Sequence, residues 1–392
     1  MPDPGAAEAL RAEIRRSGPI TFAAFQGAAL DAYFAAAGGA GRAGHDFITS
    51  PEVGTLFGAL LARAVDATWA ALGSPDPFLL VDAGGGRGRL LADVLRAGAA
   101  CAPALRAVLV ERSARLRAEA QSLLRLETPA DALGPFTRQH EDDPAEPVPS
   151  TGPVATVLDE LPDVALPGVI VANEFLDNLP VRLVQRAAEG WREVLVGLDD
   201  LRFVEVLVDA PAALASAADE VADGLGVRAG DRLPVPLEMA AWLGRAAVTL
   251  PQGQVWVLDY ADETAGLLAR GPTPASGWLR TYREHRAGAG VLEDPGTQDI
   301  TCDVPLPWLR RAATHAGFRV AFETTQAEWL ARLGVDALAD AGRRTWAAGA
   351  ARGDLAALAG RSTAVEAAAL TDPAGLGAHR VVVLDRPATP RG

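Results

Sequence analysis

The chain has 392 residues, of which 49% are hydrophobic and 22% charged, and its formal net charge is −14 at pH 7. That length and apolar content can supply a large core, while the acidic balance argues against nucleic-acid binding through bulk electrostatics. No segment has the length and apolarity of a membrane span, and the N-terminus lacks the basic and apolar regions of a signal peptide, so a cytoplasmic protein without a membrane partner is predicted.

Two short helices are predicted at the N-terminus. Residues 7–16 are amphipathic, and Ser-Gly-Pro at 17–19 interrupts the pattern. Thr21 can cap a second helix, which carries several phenylalanines. Because helices of this length cannot bury a core of their own, residues 1–50 are predicted to form a helical lid on a domain that spans residues 51–392.

The segment 45–52 reads His-Asp-Phe-Ile-Thr-Ser-Pro-Glu. Its residues 50–52 form a helix-start pattern, with a capping hydroxyl, a proline at the first helical position and an acid in the first turn. The helix is predicted to continue to Thr68 and to pack one apolar face on the sheet. From the residues alone, Asp46 and Thr49 are interpreted as loop residues ahead of this helix.

A nucleotide-binding turn is predicted at residues 78–88, Phe-Leu-Leu-Val-Asp-Ala-Gly-Gly-Gly-Arg-Gly. The apolar run is typical of a buried parallel strand, and the alternate glycines allow a ligand to approach the backbone. The spacing does not match the G-x-G-x-x-G pattern of dinucleotide sites, and a P-loop is excluded because the chain contains no lysine. The observed acid-x-G-x-G-x-G is the form found in S-adenosylmethionine (SAM) methyltransferases. On the loop alone, a plain turn in a chain with 40 glycines stays open.

A second strand, at residues 106–112, supports the nucleotide-binding interpretation. It ends in Glu111, at the place where an acid binds ribose hydroxyls in this architecture. Ser113 is a predicted N-cap for the next helix. The glycine turn and the acid at the end of the next strand together indicate a nucleotide site more strongly than either feature alone.

A later strand, at residues 168–172, leads into Asn-Glu-Phe-Leu-Asp-Asn-Leu-Pro at 173–180. Loops that leave the carboxyl end of a strand line the ligand crevice of doubly wound sheets. The apolar residues are interpreted as anchors, which leaves Glu174 and Asp177 as candidate catalytic acids. The alternative is that Asp177 caps the next turn and Glu174 is solvated.

The second half of the chain is predicted to leave the sheet and return to it. Strand-like runs and a helical region make up an insertion at about 185–250. The Gly- and Pro-rich piece at 271–303 is too long for a plain connection and is predicted to be a functional loop. Its His285 is a candidate general base or positioning residue, with a structural role as the alternative.

The two cysteines, Cys101 and Cys302, lack the spacing of metal ligands. They are interpreted as small buried hydrophobic residues in a reducing compartment. Neither a metal site nor a disulfide is therefore expected.

Together these motifs resemble the MidA-like SAM-dependent methyltransferases, the family of the mitochondrial complex I assembly factor that methylates an arginine of a complex I subunit. The resemblance covers roughly residues 17–320 in the family's order, and the Asn-Glu-Phe-x-Asp-x-Leu-Pro block is its most specific part. It includes the residues 46–52, 82–88, 172–180, 257–260, 281–285, 294–296 and 299–301.

The resemblance implies SAM as the cofactor and an arginine side chain as the methyl acceptor. It implies catalytic roles for Glu174 and Asp177, with His285 as a further candidate. It also implies contacts to SAM from Asp46, Thr49, Asp82, Gly84, Gly86, Gly88, Glu111 and Asn173.

Some positions depart from the family pattern. Asp82 and Gly85 stand where the family usually has Glu and Pro, and these changes preserve a carboxylate and a flexible loop. His45 stands where the family usually has Gly. Asp303 and Pro305 replace a His and an Asp, and these two changes leave the acceptor open.

The predicted fold is α/β: a Rossmann-like, doubly wound class I methyltransferase sheet with a helical N-terminal lid and insertions at about 185–250 and 271–303. The predicted function is SAM-dependent methyl transfer, with protein arginine as the first hypothesis. Its alternatives are a small-molecule O- or N-methyltransferase, a SAM-binding assembly factor with little catalysis, and an NAD-dependent dehydrogenase. The expected partner is a protein substrate or a small molecule, and a homodimer is one open outcome.

Overall fold

The computed structural model describes residues 5–37, 49–134, 137–138, 146–147, 151–272, 277–283 and 286–387. The chain folds into two compact units, which we name after the direction of their main sheets. Within the described ranges, no helix is both long and apolar enough to cross a lipid bilayer. The antiparallel unit comprises Met1–Phe47, Glu174–Gly244 and Asp259–Gly317, and the parallel unit comprises Ile48–Asn173, Arg245–Leu258 and Phe318–Gly392.

The parallel unit contains a seven-stranded sheet. Numbered in chain order, its strands lie in the order 3-2-1-4-5-7-6. The first five pair in parallel, and the sixth pairs antiparallel with the seventh. The order reverses between strands 1 and 4, where doubly wound sheets bind their ligands, and the predicted fold class is confirmed. The strands are Phe78–Ala83, Leu105–Val110, Val154–Leu158, Gly168–Asn173, Gly253–Asp259, Arg319–Thr325 and Arg380–Arg386.

Helices of the parallel unit pack an apolar core that includes Phe57, Leu60, Leu61 and Trp256. The α-helices are Ser50–Val53, Leu56–Ala71, Arg89–Arg96, Ala114–Ala120, Pro129–Leu133, Gln326–Arg332, Val335–Gly349 and Leu355–Leu370. Short 3₁₀ helices lie at Ala102–Ala104, Ala350–Arg352 and Leu376–Ala378, and the strands Thr137–Arg138 and Glu146–Pro147 form a small pair.

The helix predicted from residue 50 to Thr68 is interrupted at Gly54. The buried carboxylate of Glu366 accepts the Leu56 N–H at 2.9 Å, and a Cβ at Gly54 would lie only 2.1 Å from its Cδ. The carboxylate of Glu366 therefore accepts a backbone N–H at the start of the second helix, which a carbonyl group would accept if one continuous helix ran through Gly54. Ser50 is also not the cap: its Oγ donates to Gln326 Oε1 at 3.0 Å.

The antiparallel unit is built on a five-stranded sheet with a core that includes Phe22, Phe25, Val196 and Trp278. Its strands are Ile20–Thr21, Arg182–Ala187, Gly190–Asp199, Arg202–Asp209 and Arg232–Val235. The helices of this unit are Gly5–Ser17, Phe22–Ala37, Leu176–Asn178 (3₁₀), Ala212–Ala222, Thr264–Arg270 and Leu306–His315, while Leu237–Thr249 passes from this unit into the other at Gly244. The strands of this sheet that lie within 182–235 pair antiparallel.

The piece at 271–303 is more regular than predicted. Leu279–Arg283 pairs antiparallel with Asp299–Cys302 on one side and with Arg286–Ala287 on the other. A further short pair joins Ala261–Asp262 to Val304–Pro305. The described glycines and prolines of this piece lie outside these strands, either before Leu279 or between Ala287 and Asp299. The division into a 1–50 lid and a 51–392 domain stays a prediction.

Candidate active site

The glycine loop follows directly after strand Phe78–Ala83 in the parallel unit. The Gly84 N–H donates to Val110 O at 2.8 Å, which ties the turn to the neighbouring strand. Gly88, at φ 77°, is the N-cap of helix Arg89–Arg96. Gly86 has φ 57°, and a Cβ there would meet no atom within 4 Å. The backbone at Gly86 therefore faces open space while it holds a conformation that favours glycine.

Glu111 lies against this loop. Its Oε2 accepts the Gly86 N–H at 3.1 Å, and its Oε1 accepts the Ser113 N–H at 2.7 Å. Burial raises the pKa of Glu111, while these two N–H groups and the Arg117 guanidinium oppose the rise. Thus two of the residues predicted to bind the cofactor, Gly86 and Glu111, are in direct contact.

The Asp82 carboxylate is buried beneath the loop. Burial raises its pKa to about 7, the Leu91 N–H lowers it, and the negative charge of Glu111 raises it further. Its Oδ2 has no hydrogen-bond partner among the described residues, and a Cβ at Gly85 would lie 2.4 Å from that oxygen. A partnerless carboxylate oxygen under an open glycine turn suits a ligand with positive charge, and SAM carries both an ammonium and a sulfonium. The residues present therefore fit SAM.

The structure gives fewer side-chain contacts for the other residues that were predicted to bind the cofactor. Thr49 is the N-cap of helix Ser50–Val53 without a side-chain capping bond. The same helix carries Glu52, which pairs with Arg87 of the glycine loop at 3.5 Å, so this segment lies beside the loop. Asn173 ends the strand that pairs with both Phe78–Ala83 and Gly253–Asp259. Asp46 and His285 lie outside the described residues.

Glu174 opens a turn of the antiparallel unit. It has φ 49°, the left-handed region, which costs a residue with a side chain about 1 to 2 kcal/mol. The turn continues as the 3₁₀ helix Leu176–Asn178. Leu176 is buried, and the Phe175 ring lies 5.2 Å from the Trp242 ring, so the apolar residues anchor the turn as predicted.

Asp259, for which the sequence predicted no role, holds the same turn. Its Oδ2 accepts the N–H groups of Phe175 at 3.2 Å and Leu176 at 2.8 Å. Burial raises the pKa of Asp259 to about 7, the Leu176 N–H lowers it, and the charge of Glu174 raises it. Its signal in the sequence was its place in the Val-Leu-Asp-Tyr motif at 257–260.

Asp177 lies in a group of buried carboxylates. Its side chain is 3% exposed, and its Oδ1 has no hydrogen-bond partner among the described residues. Burial raises its pKa well above the ordinary value, and the charges of Asp259 and Asp299 raise it further, against the opposing charge of Arg280. We call Asp177, Asp259, Asp299 and Asp303 the acidic cluster. All four are buried.

Arg280 is the buried cation beside the acidic cluster. Its Nη2 lies 2.5 Å from Asp303 Oδ1, and its guanidinium stacks 5.1 Å from the Tyr260 ring centroid. Asp303 also pairs with Arg270 at 2.8 Å, and the Arg270 side chain is 35% exposed. Asp299 accepts a hydrogen bond from Asn178 Nδ2 at 2.9 Å. Both arginines thus pair with Asp303, whereas the carboxyl group of Asp177 lies among like charges that raise its pKa, so a positive charge beside Asp177 would be favourable.

Three comparisons relate the chain to known proteins. Residues 60–324 match the family described as "Putative S-adenosyl-L-methionine-dependent methyltransferase". Protein arginine methyltransferase NDUFAF7, mitochondrial, is 32% identical in Rattus norvegicus, over 77% of this chain and 68% of that protein. The Bos taurus protein of that name is 33% identical, over 76% and 66%. A Burkholderia thailandensis crystal structure with bound S-adenosyl-homocysteine is 29% identical, with a TM-score of 0.76 over 98% of this chain and 95% of that chain.

The mammalian relatives are longer than the part that matches this chain, and their names give a cellular location. The matched part spans about two thirds of the length of the two mammalian relatives. The predicted cytoplasmic location is wrong, because these relatives are named as mitochondrial proteins. The prediction rested on the lack of a secretory signal and of a membrane span, and neither lack distinguishes one aqueous compartment from another.

Proposed function

The chain belongs to the family of SAM-dependent methyltransferases, and on this premise we propose that it transfers the methyl group to a guanidinium nitrogen of a protein arginine. The predicted enzyme class and the predicted cofactor are confirmed by the family. The acceptor and the residues that act on it are the proposed part. The names of the mammalian relatives, which are protein arginine methyltransferases, support the choice of acceptor.

The observation that carries the acceptor proposal is the clustering of buried carboxyl groups in the antiparallel unit. The acidic cluster holds four of them, and Arg280 and Arg270 both pair with the same one, Asp303. Burying several carboxylates together is unfavourable unless a cation joins them, and the raised pKa of Asp177 expresses that cost. A guanidinium is a planar cation with several N–H donors, so it matches carboxylate acceptors in both charge and geometry.

The proposed roles follow from the charges. SAM, when bound, supplies a methyl group attached to a positively charged sulfur. The residues proposed to hold it are Asp82, Gly84, Gly86, Gly88, Glu111 and Asn173, together with Asp46 and Thr49. Glu174 and Asp177 are proposed to bind the acceptor guanidinium. Since that group stays protonated up to a pH above about 12, a carboxylate must also draw a proton from the attacking nitrogen. His285 stays a further candidate.

The test combines an unbiased acceptor search with one substitution. The full chain is incubated with methyl-labelled SAM and an extract of its own organism, and the labelled residue is identified by mass spectrometry. Glu174→Gln keeps the size of the side chain and removes its charge. We expect SAM affinity to stay within about threefold, a difference below about 1 kcal/mol. Methyl transfer should fall at least roughly 100-fold, the scale of one lost preorganised electrostatic contact.

Glu189→Gln is the matched control, because Glu189 is exposed. It should change neither quantity. Methylarginine in a labelled protein supports the proposal, whereas label in a small molecule would replace it with the small-molecule alternative. Tight SAM binding without any labelled product would identify a SAM-binding assembly factor. Undiminished transfer by Glu174→Gln would remove Glu174 from the catalytic residues.

A further inference from the structure

The Asp259 carboxylate binds successive backbone N–H groups of one turn. Its Oδ2 accepts from Phe175 at 3.2 Å and Leu176 at 2.8 Å, and the Asp177 N–H lies 3.4 Å away. Its Oδ1 accepts the Tyr260 N–H at 2.9 Å. Asp259 is fully buried, so water does not compete for these bonds. A single side chain thus satisfies the amide groups that leave Glu174 and lead into Asp177.

The turn needs such a support because its first residue is strained. Glu174 has φ 49°, and a backbone in this region persists only when its surroundings impose it. The burial of Leu176 and the contact of Phe175 with Trp242 fix how deeply the turn is seated. Neither apolar contact fixes the direction of the amide groups. The carboxylate does, because each N–H must point at it.

We propose that Asp259 is the positioning residue that fixes the turn carrying Glu174 and Asp177 for methyl transfer. The inference rests on the proposed function, since it takes these two carboxylates as the groups that bind the acceptor. A carboxylate suits the role because both of its oxygens accept hydrogen bonds and its charge strengthens them. Asparagine has the same shape but only one acceptor oxygen. If that oxygen faces the N–H groups of 175–177, the NH₂ group of the asparagine faces the Tyr260 N–H, which is also a donor.

Asp259→Asn in the full chain tests the inference. We expect kcat to fall about 10- to 100-fold, the effect of weakening hydrogen bonds to a charged group. The dissociation constant of SAM should stay within about threefold, because the residues proposed to bind SAM are unchanged. Hydrogen exchange of the amides in 175–177 should accelerate, while the amides of strand Phe78–Ala83 keep their protection. Asp209→Asn is the control, because the Asp209 side chain is fully exposed.

The outcomes separate this inference from the function on which it rests. If Glu174→Gln abolishes transfer while Asp259→Asn keeps both its kcat and its amide protection, the positioning role is overturned and the proposed function stands. If Glu174→Gln retains transfer, Glu174 does not bind the acceptor and the inference loses its premise, and faster exchange at 175–177 in Asp259→Asn would then report a structural support only. Should Asp259→Asn lose SAM binding altogether, Asp259→Glu, which keeps the charge and displaces the oxygens by one methylene, is measured in the same way. A kcat lowered in that variant while the amides of 175–177 keep their wild-type protection would also overturn the role.

Discussion

The glycine loop of the parallel unit and the acidic cluster of the antiparallel unit are assembled in different ways. The loop is contiguous, from Asp82 to Gly88, with one more acid at Glu111 at the end of the next strand along the chain. Its carboxylates are held by backbone N–H groups. The acidic cluster collects side chains from several segments between Asp177 and Asp303; backbone N–H groups hold Asp259 as well, but Asp303 pairs with the buried Arg280. A contiguous backbone motif thus builds the first region, and contacts between separate segments, including a buried ion pair, build the second.

This difference predicts which substitution damages which property. Removing a charge that a buried partner depends on leaves that partner uncompensated, so the cost appears in folding stability. Removing a carboxylate that backbone N–H groups hold in place for a ligand costs mainly ligand affinity. The three predictions below test this distinction, in order of decreasing effect.

The largest effect is expected for Arg280→Met. The substitution keeps much of the side-chain volume and leaves Asp303 and Asp177 without their buried cation. We expect the free energy of unfolding to fall by about 3 to 5 kcal/mol at neutral pH, the usual cost of breaking a buried ion pair from one side. Urea denaturation of the full chain measures it.

Arg270→Met is its matched control, because Arg270 pairs with the same carboxylate at 2.8 Å from a position that is 35% exposed. A pair so accessible to water is worth less than about 1 kcal/mol. Equal losses in the two variants would contradict the distinction between buried and accessible cations in this cluster.

A smaller effect is expected for Glu111→Ala, and it should appear in ligand affinity. The change removes the proposed ribose acceptor and also the acceptor of the Gly86 N–H. SAM binding should weaken by about 2 to 3 kcal/mol, the range for charge-assisted hydrogen bonds. Isothermal titration calorimetry measures the affinity. Glu119→Ala, on the following helix and paired with the half-buried Arg115, should bind SAM like the wild type. Unchanged affinity in Glu111→Ala would remove Glu111 from the cofactor site.

The parallel unit was largely predictable because its signals are local. A buried run before Asp82, alternate glycines and a helical pattern after Gly88 each report on the backbone within a few residues, and the structure has all three. The predicted N-cap at Ser113 is present as well, with its Oγ accepting the Leu116 N–H. The break at Gly54 was missed because its cause, Glu366, is more than 300 residues away.

The acidic cluster was predictable only in part. Glu174 and Asp177 lie in one motif, so sequence patterns indicated them. Arg280 had no such signal, since a single arginine in a strand is usually a surface residue, and only its pairing across the strands with Asp303 buries it. Asp303 drew notice merely as a departure from the family pattern. Which acid shares a cation depends on the register between strands, here Leu279–Arg283 and Asp299–Cys302, and the periodicity of a sequence does not encode that register.

The smallest effect is expected for Asp82, and it is a change in how steeply the free energy of unfolding varies with pH. Its pKa is raised from 3.8 to about 7 in the folded chain, first by burial. Between these two values the folded chain binds the proton that the unfolded chain has released. The free energy of unfolding therefore falls as the pH rises through this window, by up to about 1.4 kcal/mol per pH unit for one proton. The stabilisation is complete below pH 3.8 and is lost by about pH 7.

Asp82→Asn cannot titrate, so its free energy of unfolding should fall less steeply, by roughly 1 kcal/mol per pH unit, between about pH 4.5 and 6.5. Asp177 and Asp259 also have raised pKa values, but they titrate in both proteins and cancel from the difference between the two slopes. Urea denaturation at several pH values measures both slopes, and Asp209→Asn should keep the wild-type slope because that side chain is fully exposed. Parallel curves for wild type and Asp82→Asn would mean that Asp82 ionises normally in the folded chain. The partnerless oxygen under the glycine loop would then be a charged acceptor that is already hydrated, and a cationic ligand beside it would gain less than it gains beside a buried, dry carboxylate.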